Sequence, residues 1–235
     1  MTKLHTRGFT IIELLIATIV SSIMILSILI VFIQITRYFT KGTTQVNTQK
    51  ATRQAIDSIT QEIQTTTGGV ELPFQPSIGS PYMIFCINHR RYSYKVIPSL
   101  SSAADLNDWQ DRALYVEDDL GSDVGASQTA CVNGGGSNTG PKVFNPTARG
   151  KDLLGENMLI VSLILKDADG GGKQARLYRV ALSVLNAPAD AQASRIITVN
   201  SSSVPLCQGA AVKGSEYCGL STLDTTIFRL NKVNY

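Results

Sequence analysis

FTIIELLIATIVSSIMILSILIVFIQIT, Phe9–Thr36, carries one charged side chain, Glu13, and none in the 23 positions from Leu14 to Thr36. A helix rising about 1.5 Å per residue over that length crosses a hydrocarbon core of roughly 30 Å. A secretory signal has a shorter apolar core that ends in small residues at its cleavage site. This core instead runs on through Gln34 and Thr36 to Arg37 and Tyr38, so it reads as a retained anchor rather than a removable signal. Lys3 and Arg7, just upstream, stay cytoplasmic by the positive-inside tendency. Glu13 is what a plain anchor leaves without a purpose. A carboxylate at the centre of a bilayer costs about 2.5–3.5 kcal/mol, less near its edge, and such a residue has a partner or a task.

The eleven residues RGFTIIELLIA, Arg7–Ala17, resemble the class III signal of type IV pilins and pseudopilins: a short basic leader, Gly8, Phe9, then an apolar helix with Glu13 at the fifth position after the cut. The resemblance implies that a prepilin peptidase cleaves between Gly8 and Phe9 on the cytoplasmic side, methylates the new Phe9 amine, and leaves the helix in place. Gly8, without a Cβ, lets an enzyme approach the backbone closely. The terminal amine of Phe9 would then be neutralised by Glu13 of an adjacent subunit. An axial slip between subunits would leave a charge buried and unpaired, which sets the register. At motif level the likeness covers about Met1 to Ile35. One departure stands out: many pilins carry Pro or Gly in the apolar half, where the helix loosens on assembly. Here only Ser21, Ser22 and Ser27 interrupt it, so no such melting is expected.

Outward from the motif the pattern changes. From Val46 the segment to Ile63 replaces all-round apolarity with one stripe, Ala55, Ile56, Ile59 and Ile63, at helical spacing. No Pro lies between Phe9 and Gly68, so the spacing predicts one helix over 9–67, with 9–38 as its membrane or filament-core half and Gly42 as a point of bending. After Gly68 come short apolar or alternating runs at 82–87, 91–97, 112–117, 158–166, 174–185, 195–199 and 226–233, which read as strands. The pair 158–166 and 174–182, joined by Asp167–Lys173, is the clearest hairpin and is expected at the sheet centre. Residues 68–81 and 118–151, rich in Gly, Ser, Asn and Pro, are expected to be surface loops. The fold class is therefore α+β: a cleaved leader over 1–8, a long N-terminal helix with an apolar first half, and an antiparallel β-sheet head over 68–235 against which the helix packs.

The chain has 21 basic and 18 acidic residues; Lys3, Arg7, Arg37, Lys41, Lys50 and Arg53, with Glu13, Asp57 and Glu62, precede Gly68, leaving the head neutral. A neutral head lacks the electrostatic footprint of a nucleic-acid-binding domain. The one run that mixes bases and aromatics, Asn88–Lys95, is the place where phosphate and bases could be touched, and a solvated hairpin is the favoured reading. Four cysteines, Cys86, Cys131, Cys207 and Cys218, have no C-x-x-C spacing and only His89 as a further nearby ligand, which argues against zinc. Of the three possible pairings, Cys207 with Cys218 is favoured because the two flank a short Gly-containing loop, leaving Cys86 with Cys131. Disulfides accord with a head outside the cytoplasm.

Asp167, Asp169 and Gly170 look like the start of a calcium loop, but Gly171 and Tyr178 fall where ligands are needed, so a hairpin turn is the reading and no metal or cofactor is assigned. Asp118, Asp119 and Asp123 form a second acidic group without EF-hand spacing. After Phe9 the only histidine is His89, and no G-x-S-x-G or phosphate loop occurs, so a non-enzymatic role is expected. The size of the head, with 52–62 and 175–179, is similar to the larger minor pilins and J-type pseudopilins. The resemblance implies a minor pilin of a type IV pilus, with a type II secretion pseudopilin or a DNA-uptake competence pilin as alternatives. Its implied partners are other pilin subunits, the prepilin peptidase, an inner-membrane assembly platform and the membrane itself before assembly.

Overall fold

The computed structural model describes residues 10–77, 80, 82–95, 113–118, 125, 127–133, 150–155, 158–172, 175–186, 197–199, 205–207 and 217–230. Helix α1 spans Ile11–Thr65, with Gly42 inside it. The chain divides within this helix into two compact units, Met1–Thr40 and Lys41–Tyr235. In the second unit α1 buries Thr48, Ala51, Thr52, Ala55, Ile56, Ile59 and Ile63, a stripe at three- and four-residue spacing that begins two turns before the apolar one. The threonines fit this buried face because their hydroxyls bond back to the carbonyls of Thr44 and Thr48, each at 2.8 Å.

The strands are β1 (Val70–Phe74), β2 (Tyr82–Ile87), β3 (Arg90–Lys95), β4 (Tyr115–Glu117), β5 (Lys151–Asp152), β6 (Met158–Asp167), β7 (Leu177–Asn186), β8 (Ile197–Val199), β9 (Pro205–Cys207) and β10 (Gly219–Phe228). They form a five-stranded sheet in the order β1-β2-β3-β4-β5, a three-stranded sheet β10-β7-β6 and a pair β8-β9, all antiparallel. The arrangement is α+β. Several sequence expectations need correction. Residues 68–81 hold β1, and 118–151 hold a short helix α2 (Gln128–Asn133) and end on the first residue of β5. The last strand begins at Gly219, not at Thr226. The 158–166 hairpin forms as β6 and β7, but β7 is central and β6 is an edge.

Period-two alternation divides β2 between two cores. Phe85 and Ile87 join the main core with Ala55, Ile56, Ile59 and Ile63 of α1, Tyr92 and Tyr94 of β3, and Leu163, Leu165, Val180, Leu182 and Val184 of the three-stranded sheet. Ile84 and Cys86 point the other way, into a small core closed by Cys131, Phe74 and Val132. Phe85 stacks on Tyr92 with ring centroids 4.7 Å apart. β10 starts hard against α1: a Cβ at Gly219 would lie 2.8 Å from Thr48 Oγ1, and Gln45 Nε2 donates to the Leu220 carbonyl at 2.9 Å.

Candidate functional site

The apolar half of α1 is exposed along its length, with Ile11 at 86%, Ile28 at 65% and Phe32 at 66%. Among the described residues it is the one helix long and apolar enough to cross a membrane. Its serine and threonine hydroxyls bond back within the helix. Thr18 donates to Leu15 O at 2.9 Å, Ser21 and Ser22 to Thr18 O at 3.1 and 2.7 Å, Ser27 to Ile23 O at 2.8 Å and Thr36 to Phe32 O at 2.9 Å. A hydroxyl bonded back to its own turn enters lipid or a helix bundle without an orphaned donor.

Glu13 sits in the first turn and closes a reciprocal cap with Thr10. Thr10 N and Oγ1 donate to Glu13 Oε2 at 3.0 and 2.9 Å, and Glu13 N donates to Thr10 Oγ1 at 3.3 Å. This is the capping box of a T-x-x-E sequence, which ties the carboxylate to the helix start and leaves it exposed. The signal was present in Thr10 and Glu13 and is separate from any intermolecular role. Gly8 and Phe9, the expected cleavage and methylation positions, lie outside the described residues.

In the head, the disulfides join Cys86 to Cys131 and Cys207 to Cys218. The basic-aromatic run folds as the β2-β3 turn and β3, with Asn88 at φ 53° and alternation that puts both rings inside: Tyr92 is fully buried and Tyr94 4% exposed. Arg90 reaches Glu62 at 3.0 Å and Asp118 at 2.8 Å. Arg91 is buried and paired with Glu117 at 2.5 Å. No aromatic ring of this run is open to stacking, and both guanidinium groups already face carboxylates.

The Asp167–Gly172 turn likewise uses its own carboxylates. Asp167 Oδ2 accepts from Gly172 N at 2.9 Å, and Asp169 accepts from Gly171 N at 3.2 Å and Arg176 N at 2.7 Å. The amide of Arg176 above all holds the Asp169 carboxyl below its ordinary range. Tyr178, the final ligand position of a calcium loop, lies in the core. Asp119 and Asp123 fall outside the described residues; Asp118 is the partner of Arg90. Among the described residues no group of three His, Cys, Asp or Glu side chains could hold a metal ion. Comparison with protein-family models, curated proteins and solved structures returns no match.

Proposed function

We propose that the chain is a minor pilin: a structural, non-enzymatic subunit of a type IV pilus, assembled through α1 after cleavage at Gly8-Phe9 and methylation of Phe9. The observation that carries this reading is the join of RGFTIIE, Arg7–Glu13, to an uninterrupted exposed apolar helix whose first turn presents the Glu13 carboxylate. In this reading the helix holds the subunit in the inner membrane with the head outside the cytoplasm. An assembly platform then transfers it to a filament in which Glu13 meets the amine of a neighbour. The alternatives, a secretion pseudopilin and a DNA-uptake pilin, share these steps. The buried rings of β3 favour an assembly role over DNA uptake.

Glu13→Gln tests the proposal, because glutamine retains an acceptor for the Thr10 cap and loses the charge. The variant is expected to insert in the membrane at the wild-type level, to be cleaved before Phe9, and to be missing from sheared filaments. Wild-type incorporation, or a mature N-terminus other than Phe9 by mass spectrometry, would reject it.

A further inference from the structure

One row across the five-stranded sheet places Cys86, Arg91 and Glu117 side by side on β2, β3 and β4, because Cys86 is the register partner of Arg91 and Arg91 that of Glu117. Successive partners in one row share a face. On that face lies α2, held to β2 by the Cys86–Cys131 disulfide. A helix leaves its last four carbonyls without intrahelical donors, and in a six-residue helix those are most of its carbonyls. Arg91 Nη1 donates to two of them, Cys131 O at 3.1 Å and Val132 O at 2.8 Å. Its Nε and Nη2 meanwhile both face Glu117 Oε2 at 2.5 Å. The guanidinium fork thus holds the carboxylate with one side and the end of α2 with the other. Ser127 fixes the opposite end of α2, its hydroxyl accepting from Ala130 N at 3.1 Å.

Both cysteines of this bridge are fully buried, as are Arg91 and Glu117 to within a few per cent. A buried ion pair is stable only when its remaining polar atoms are satisfied, so the carbonyls of α2 and the pair depend on each other. The two disulfides differ in how far apart their cysteines lie, 45 residues for Cys86–Cys131 and 11 for Cys207–Cys218. The longer loop closes at greater entropic cost and has more to gain from a contact that brings its ends together.

We propose that the Arg91–Glu117 pair is a positioning device for oxidation of the head: by gripping the last turn of α2 it carries Cys131 onto Cys86 and drives that disulfide to completion. The chemistry is thiol–disulfide exchange with an external disulfide as oxidant. The Cys86 thiolate attacks a sulfur of the oxidant, forming a mixed disulfide and expelling one thiolate. When α2 docks on Arg91, the Cys131 thiolate attacks Cys86 Sγ, forms the Cys86–Cys131 bond and expels the second thiolate. Two protons leave the cysteines and two electrons reduce the oxidant to two thiols. Arg91 takes no part in the exchange; it sets the effective concentration of Cys131 at Cys86. The inference is independent of the pilin reading.

The test equilibrates the full-length protein in detergent against mixtures of reduced and oxidised glutathione, followed by acid quench, alkylation and peptide mapping of each bridge. In Arg91→Met combined with Glu117→Met, which leaves no buried charge behind, the Cys86–Cys131 equilibrium constant is expected to fall about ten- to a hundredfold, as loss of hydrogen bonds to a charged donor implies. The Cys207–Cys218 constant, read in the same molecules, is expected to stay unchanged. Unchanged constants for both bridges, or an equal fall in both, would overturn the proposal. Arg91→Lys keeps the charge opposite Glu117 but lacks the fork, and guards against a double variant that does not fold. It is expected to lower the Cys86–Cys131 constant selectively, and a wild-type value would overturn the proposal on its own.

Discussion

Tyr92 has no exposed surface, and its ring is stacked on Phe85. Burial pushes its phenol up to about 12, with Glu62 adding to the rise and Arg90 opposing it. In the unfolded chain the same phenol ionises near pH 10. The folded head therefore keeps a proton that the unfolded chain loses between those values. The stability this contributes is complete below about pH 10 and is lost as pH climbs toward 12. Two pH units correspond to about 2–3 kcal/mol. Tyr92→Phe should be nearly neutral at pH 7 and should flatten the alkaline limb of a urea-unfolding series by about that amount. The limb should not vanish, because burial raises Tyr94 in the same direction. Wild type and variant losing stability in parallel above pH 10 would show that the Tyr92 proton is not what the fold retains.

β10 ends where α1 ends, and the two are fastened there by residues just past the strand. Arg229 donates from its backbone to Arg176 O at 2.8 Å and from Nη2 to Gly68 O at 2.5 Å, while Leu230 N reaches Gln64 O at 3.4 Å. A cation beside the carbonyl end of a helix also meets the favourable end of its dipole. Arg229→Met retains the stem and removes the charged donor, which should cost about 1.5–3 kcal/mol by urea unfolding. Arg176→Met, on an exposed side chain, should move stability by less than about 0.5 kcal/mol. Equal effects would remove the helix-end contact as the cause. Elements were legible in the sequence where one periodicity ran unmixed: the charge-free half of α1, and β6 with β7. β1 was hidden by Pro73 and its glycine-rich surroundings, and α2 is too short to show a period. The part of β10 before Thr226 reads as polar because Thr222 and Asp224 occupy its open face while Leu223 packs against the main core. Glu13 was legible as an anomaly within an apolar run. The Arg91–Glu117 pair was not, since it joins residues 26 apart and depends on a strand register that no local pattern encodes.

At the scale of the whole chain, the position of the unit boundary decides what can fold alone. The sequence puts the start of the head at Gly68, where the helix stops, whereas the compact unit begins at Lys41, well inside α1. The reason lies in the main core, which counts Ala55, Ile56, Ile59 and Ile63 among its members. A chain beginning at Gly68 lacks all four and opens to water the part of the main core that they fill. Burying an isoleucine is worth about 1.5–3 kcal/mol, so the three isoleucines alone represent about 5–9 kcal/mol. A typical domain is stable by about 5–15 kcal/mol in total, so the loss is of the size of the whole. The fragment 41–235, expressed in an oxidising compartment, should be soluble without detergent, melt cooperatively and yield both the Cys86–Cys131 and Cys207–Cys218 peptides. The fragment 68–235 should bind a hydrophobic dye, lose near-ultraviolet dichroism and scramble its disulfides. A cooperative melt of 68–235 at the same temperature as 41–235 would show that the helix covers the core without stabilising it.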